Sequence, residues 1–309
     1  MYSYLDQYGL IKATGADAPT FLQAQFGNDV RNVTDENHQL NCYSTPKGRL
    51  LAIFRIFKFD DAYFLRMPQE IVEPTLQRLR MFVLMAKVEL ENISDQWNGI
   101  GVSGPEAGSS LAAAGFANLP TEAGLAASNG NSIVLRVPGV NERYEIFSDR
   151  ASVDALAAQL DGHIERHDSD RWMYDEILAG IPSIYEGTRE EFIPQMANLE
   201  ILDGLSFKKG CYPGQEIVAR MHYLGKLKRR MYRFDLGTAE PPQPGSDVID
   251  SDSGKSVGTI VDARKIDGVS TIALAVMQIA SVEQNADKLT SADGSSMQLA
   301  DLPDTLETE

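Results

Sequence analysis

The 309-residue chain is poor in several things that would point to particular functions. It has only two cysteines, Cys42 and Cys211, too few for a disulfide framework, and a reducing, cytoplasmic setting is the expectation. No uncharged apolar run reaches the roughly 18 residues of a membrane span. Met1–Leu10 (MYSYLDQYGL) lacks the basic start and apolar core of a signal peptide, so neither membrane nor export is expected. Basic residues are short as well: 28 Lys+Arg against 44 Asp+Glu leave a net charge of −16. Generalised attraction to phosphate backbones or anionic lipid is disfavoured, and any basic site must be local. Neither a phosphate-cradling Walker loop nor a Ser/His/Asp order is evident. Gly99-Ile100-Gly101-Val102-Ser103-Gly104 has dinucleotide-fingerprint spacing but lies inside a strand-like segment with no strand-end acid about twenty residues on, so it reads as edge-strand glycines. His163 and His167 lack companions at zinc-like spacing, and no metal site is expected.

What is present is a folded chain, 43% hydrophobic and long enough for two or three domains. Asp17 is placed to cap a short amphipathic helix through Phe21, Leu22 and Gln25. Leu40–Ser44 and Leu50–Phe59 read as strands joined by the turn Thr45-Pro46-Lys47-Gly48, followed by a strand at Tyr63–Met67. Glu70–Met85 has helical spacing, with Ile71, Leu76, Leu79, Phe82 and Val83 as the buried stripe. Ala107–Gly130 holds eight alanines and four glycines and reads as a short helix and mobile loops. A hairpin at Ile133–Val137 and Tyr144–Phe147 precedes helices at Val153–Leu160 and Asp170–Ala179. Hairpins mixed with helices imply α+β lobes. Beyond the Pro-rich tract Ala239–Gly245, short strands separated by Asp/Ser/Gly turns suit a small antiparallel barrel or sandwich, with a frayed acidic end at Asp301–Glu309.

One segment departs from the acidic average. Lys208–Arg233 (KKGCYPGQEIVARMHYLGKLKRRMYR) carries eight basic residues and one acid, +7 locally against −23 for the remainder. Its second half, with Lys226, Lys228, Arg229, Arg230 and Arg233, is open between a solvated face and a surface for tRNA or an acidic protein. In its first half, Tyr212-Pro213-Gly214-Gln215 has the centre of a type II turn, because proline fixes its φ and glycine accepts a positive one. A helix then runs from Glu216 to Tyr223 and ends at Gly225. Cys211 would sit before that helix N-terminus and beside Lys208 and Lys209, both of which favour thiolate. An activated cysteine and an inert buried thiol remain alternatives. Cys42, mid-strand among apolar neighbours, reads as structural.

Lys209-Gly210-Cys211-Tyr212-Pro213-Gly214-Gln215-Glu216 resembles the K-G-C-[YFW]-x-G-Q-E signature of the YgfZ family of folate-binding proteins, relatives of the glycine-cleavage T-protein. The resemblance extends through Gly15-Ala16-Asp17 with Phe21–Gln25, Pro46-Lys47-Gly48, Phe192–Gln195 and Asn198-Leu199, nearly the whole chain. It implies a T-protein-like α+β fold: two interleaved lobes over residues 1–226 and a C-terminal antiparallel β-barrel over 227–309, around an opening for folate. It further implies tetrahydrofolate as ligand, iron-sulfur enzymes or assembly proteins as partners, indirect support of tRNA methylthiolation, and an essential Cys211 assisted by Lys209, with Lys208, Gly210, Tyr212, Gly214, Gln215 and Glu216 forming its loop. Folate contacts fall on Tyr8 and Trp172, whose rings could cover a pterin face; a hydrophobic staple and an ordinary core residue are the alternatives. Two departures stand out. Where the T-protein carries acids after its turn, this chain has Leu51-Ala52-Ile53-Phe54, which speaks against aminomethyl transfer because an alkyl side chain cannot move a proton. Leu178 stands where a pterin-binding glutamate precedes Ala-Gly.

Overall fold

The computed structural model describes residues 1–266 and 268–303. The expected frayed end beyond residue 303 lies outside the described residues. Leu50–Phe59, the strongest β-former in the chain, is a ten-residue strand buried on both faces. Side chains alternate along a strand, so this one serves two cores. Leu50, Ala52, Phe54 and Ile56 enter a core shared with Phe21, Leu22, Leu76 and Leu79, whereas Phe57 and Phe59 enter a second with Phe64 and Phe147. It lies in a five-stranded antiparallel sheet ordered His38–Ser44, Leu50–Phe59, Ala62–Pro68, Tyr8–Thr14, Glu89–Asn92.

A second five-stranded sheet is ordered Tyr2–Tyr4, Trp97–Ser103, Arg143–Asp149, Ser132–Arg136, Ala126–Asn129. The N-terminal segment joins both sheets: Tyr2 pairs with Val102 and Tyr8 with Pro68. The two lobes are therefore interleaved along the chain. One face of the second sheet is covered by the helices Ala107–Ala113 and Arg150–Leu160 through Leu111, Val153, Leu156 and Leu160. The other meets the first sheet, where Phe57 stacks on Phe147 with ring centroids 5.2 Å apart.

The C-terminal sheet has six strands, in the order Leu289–Ser291, Asp247–Asp250, Lys255–Lys265, Thr271–Gln278, Arg229–Asp235, Gln298–Ala300. Register shifts at Val248/Ile249 and Ile260/Asp262 bend it, since a bulge raises local twist. The expected barrel is thus a curled antiparallel half-barrel. Its concave core holds Phe234, Ile260 and Met277, while Met231, Val261 and Leu274 pack into the first lobe's core.

Three local expectations are corrected. The helix foreseen to Met85 is Val72–Arg80; of its expected stripe Ile71, Leu76 and Leu79 are buried and Val83 packs half-buried against the core, whereas Phe82 is 44% exposed. Asp17 precedes the helix Ala18–Gln25, but its carboxylate accepts from the Lys87 N–H (2.8 Å) instead of capping that helix. The strand holding Gly99–Gly104 is internal, not an edge. A Cβ on Gly101 would lie 2.4 Å from the Trp172 ring, so close packing is what requires glycine there.

Candidate functional site

The Lys209–Glu216 loop is built as its residues dictate. Gly214 has φ +86° and ψ −1°, and the Gln215 N–H donates to the Tyr212 carbonyl at 3.1 Å, the geometry of a type II turn with Pro213 and Gly214 at its centre. The helix Gln215–Leu224 follows and stops at Gly225. A Cβ on Gly214 would stand 2.6 Å from the Thr45 carbonyl oxygen and 2.7 Å from Cα of Gly48, so this turn rests directly on the Thr45–Gly48 turn. Gln195 then holds the helix, its Nε2 donating to the Val218 carbonyl at 2.7 Å. Motifs scattered along the sequence are thus brought into one assembly.

Lys209 does not assist Cys211 in the way the sequence suggested. Its side chain turns inward, 5% exposed, and the ammonium donates to the carbonyls of Gln23 (2.7 Å), Phe26 and Asn28 (3.2 Å) at the end of the Ala18–Gln25 helix. Burial pulls its pKa down to about 8, opposed by Asp29. Lys209 is a clamp whose charge is spent on carbonyl oxygens. Cys42 lies beneath the same loop, fully buried, its thiol pushed up to about 12 by burial despite nearby Lys209. Tyr212 is buried too, while Lys208, Gly210, Cys211 and Glu216 are exposed and Gln215 is half-buried. Cys211 is therefore a reachable thiol between two anchored neighbours.

The basic run does not form one stripe. Lys226 and Lys228 are exposed, but the strand Arg229–Asp235 puts Arg229 and Arg233 on the face of Met231, and Arg230 on the opposite face with Tyr232 and Phe234. Period-two alternation divides what was contiguous in sequence.

Tyr8 and Trp172 meet in a second assembly, between the two lobe sheets. Both are buried, with Tyr8 6% and Trp172 0% exposed. The Arg66 guanidinium lies 3.8 Å from the Tyr8 ring centre and that of Arg143 lies 4.1 Å from the Trp172 ring. Burial raises the Tyr8 phenol, and neither Tyr8 Oη nor Trp172 Nε1 has a hydrogen-bond partner among the described residues. Glu145 joins Arg66 at 2.5 Å and Arg55 at 3.5 Å, and Glu176 joins Arg143 at 2.9 Å and Arg66 at 3.6 Å. Three guanidinium groups and two carboxylates are buried together. Arg55 opens onto a cavity of about 210 Å³ whose wall also includes His38, Leu40, Pro138 and Ile181.

Comparison with known proteins decides the family. The chain is 32% identical over 275 residues to the tRNA-modifying protein YgfZ of Escherichia coli O157:H7, covering 88% of this chain and 84% of the relative. It belongs to the YgfZ family. The tRNA-modifying protein YgfZ of Colwellia psychrerythraea is 31% identical over 276 residues, with the same coverage. No protein-family model matches the chain. Among solved structures, the glycine cleavage system aminomethyltransferase T from Bartonella henselae superposes with a TM-score of 0.74 over 99% of this chain and 86% of that one, at 13% identity. The chain thus has the T-protein fold, as the resemblance implied. Among the described residues no helix is long and apolar enough to cross a membrane, and no group of three or more His, Cys, Asp or Glu side chains is placed to hold a metal.

Sequence reasoning placed Tyr8 and Trp172 but missed the five charged residues packed around them. A signal was there: Arg55 and Arg66 interrupt otherwise apolar strands, and a charge in such a run is buried with a partner or not buried at all. The departure at Leu178 also looks different in three dimensions. Leu178 packs against the first core, whereas its helix buries two acids, Asp175, which pairs with Arg171 at 3.2 Å, and Glu176, which Arg143, Arg66 and Arg55 hold ionised against the cost of burial.

Proposed function

We propose that this YgfZ-family chain is an accessory factor for iron-sulfur proteins, supporting tRNA modification, and that it acts by lending the Cys211 thiolate as a ligand to iron of a client's cluster, the thiol proton passing to solvent. The observation that carries this reading is the exposure of Cys211 on a loop immobilised on both sides, by the Lys209 clamp and by the Gly214 turn seated on Gly48. A rigid support holding one reachable nucleophile suits transient transfer. A single thiolate cannot supply the ligands of a resident cluster, so iron and sulfur enter as cargo. Cys211→Ser tests it. In cells lacking the chain, the variant is expected to leave an iron-sulfur-dependent tRNA methylthiolation as deficient as the empty vector does, with an unchanged urea unfolding midpoint. Full restoration of methylthiolation would overturn the thiol role.

Tetrahydrofolate, the ligand the resemblance implies, does not fit between Tyr8 and Trp172 as they stand. One face of each ring carries a guanidinium group, and the Gly101 backbone lies against Trp172. A pterin stacked there would have to displace Arg66 and Arg143. Displacing Arg143 removes a cation from the indole face, so folate binding predicts a change in tryptophan emission that is absent in Trp172→Phe. Unchanged emission at millimolar tetrahydrofolate would refute binding between these rings.

A further inference from the structure

The helix Gln215–Leu224, which follows Cys211, buries one of its ten residues, Val218. Its outward side is not polar. Ile217, Arg220 and Leu224, at i, i+3 and i+7, form one stripe, and Tyr223 stands beside it. Ile217 is exposed in part, Tyr223 is 66% and Leu224 85% exposed. A surface helix turns its apolar residues inward, so a second apolar stripe facing outward calls for a partner. Tyr223 is already held in place. Its ring is edge-on to His222, with centroids 4.6 Å apart, and to Phe207 at 6.3 Å, while His222 stacks on Phe207 at 3.9 Å. An aromatic ring fixed before contact loses little freedom on binding, which suits an interface anchor.

The charges around this stripe are of the sign the chain is short of. Arg220 lies within it, Lys226 and Lys228 follow the helix end, Lys208 adjoins Phe207, and Lys47 belongs to the turn against which Ile217 packs; all five are exposed. Glu216 is exposed beside them, and Glu200 is engaged by His222 at 2.6 Å. The whole chain carries −16, but at physiological salt charges beyond about 8 Å are largely screened, so a protein touching this face meets the local cations. A nucleic acid fits less well. Ile217 and Leu224 offer a phosphate backbone nothing, and the arginines farther on are divided between the two faces of the strand Arg229–Asp235 and form no continuous track. A protein surface with an apolar centre and an acidic rim matches both the stripe and its border.

We propose that the outer face of the helix Gln215–Leu224 is the docking surface for the protein whose cluster iron Cys211 ligates, and that this partner presents an apolar patch rimmed by Asp and Glu. Ten helical residues span about 15 Å, and a standard interface covers about 800 Å² of each partner, a disc about 30 Å across. One docked protein therefore reaches from Leu224 to Cys211. This inference rests on the thiolate reading of Cys211 and adds the face by which the client arrives.

The test compares variants of the full chain by iron-sulfur-dependent tRNA methylthiolation in cells lacking it. Leu224→Glu is expected to lower methylthiolation about tenfold, as loss of an interface anchor does. Arg220→Glu should be as damaging, and Arg220→Gln, which removes the charge without reversing it, milder. Val140→Glu, at an apolar residue 76% exposed in the second lobe, should restore methylthiolation in full. The helix variants are expected to keep the urea midpoint and the rate at which iodoacetamide alkylates Cys211, so that the defect is one of docking. Full restoration by Leu224→Glu, Arg220→Glu no worse than Arg220→Gln, or slowed alkylation of Cys211 would each overturn the proposal. Filter binding of the host's total tRNA supplies the nucleic-acid arm: equally weak binding by wild type and Arg220→Glu is expected, and tight binding that Arg220→Glu abolishes would give this face to RNA. Cys211→Ser separates the two readings. If it restores methylthiolation, the thiolate reading falls and this one with it; if it stays deficient while Leu224→Glu is active, the docking surface alone is wrong.

Discussion

Lys209 shows how much one side chain can hold. Its ammonium gathers three carbonyls at a helix end, where acceptors have no intrahelical partners. Lys209→Met takes this donor from the Gln23 and Phe26 carbonyls and leaves Asn28 with Asn41 Nδ2 at 3.5 Å, at about 1–3 kcal/mol for the first unsatisfied group, so a loss of about 3 kcal/mol is expected in urea unfolding. The pH dependence has a defined sign. Below about pH 8 folded and unfolded chains both carry this proton, and the cost of burying the charge is present in full. Between pH 8 and the ordinary lysine range the unfolded chain keeps a proton the folded chain has shed, so this group's contribution to stability rises with pH. The wild-type advantage over Lys209→Met is therefore expected to grow between pH 7 and pH 10; a constant difference would contradict it. Cys211 and its basic neighbours were legible in the sequence. Where the Lys209 ammonium points was not, because adjacency along a chain says nothing about which way a long side chain folds back.

At the scale of elements, the signature loop and the Thr45–Gly48 turn form one unit, two turns in contact at their glycines. Gly214 adopts a left-handed conformation that costs a residue with a Cβ about 1–2 kcal/mol, and that Cβ would collide with backbone at Thr45 and Gly48. Gly214→Ala is expected to cost at least about 2 kcal/mol and to increase amide exchange at both turns together. Exchange confined to the 211–216 loop would show that the turns are not coupled. The loop was readable because proline and glycine impose local dihedral angles wherever they occur. The helix end at Arg80 was not, since apolar residues continue in sequence to Met85 although the helix stops at Arg80. The same limit applied to the basic run, which looked continuous until strand alternation divided it.

For the whole molecule, the joint between lobes is ionic as well as apolar. Glu145, on the second sheet's strand Arg143–Asp149, bridges Arg55 and Arg66 on two strands of the first sheet. Glu145→Gln takes from Arg55 its carboxylate partner and leaves Arg66 with Glu176 alone at 3.6 Å, and breaking a buried pair in this way costs about 3–5 kcal/mol. Loss of the cooperative unfolding transition, or a midpoint shift of that size, is expected. A shift as small as that of an exposed charge change would mean the joint is carried by the aromatic stack alone.

The sequence by itself determined the α+β class, most of the strands and helices, the loop around Cys211 and the family, because these follow from periodicity, turn chemistry and short-range motifs. Tertiary structure alone decided that Lys209 faces inward, that Tyr8 and Trp172 are already covered by arginines, and that five charges share one interior. Those outcomes depend on which strands pair across the lobes, and pairing between distant segments is set by packing of the whole chain, which no local pattern encodes.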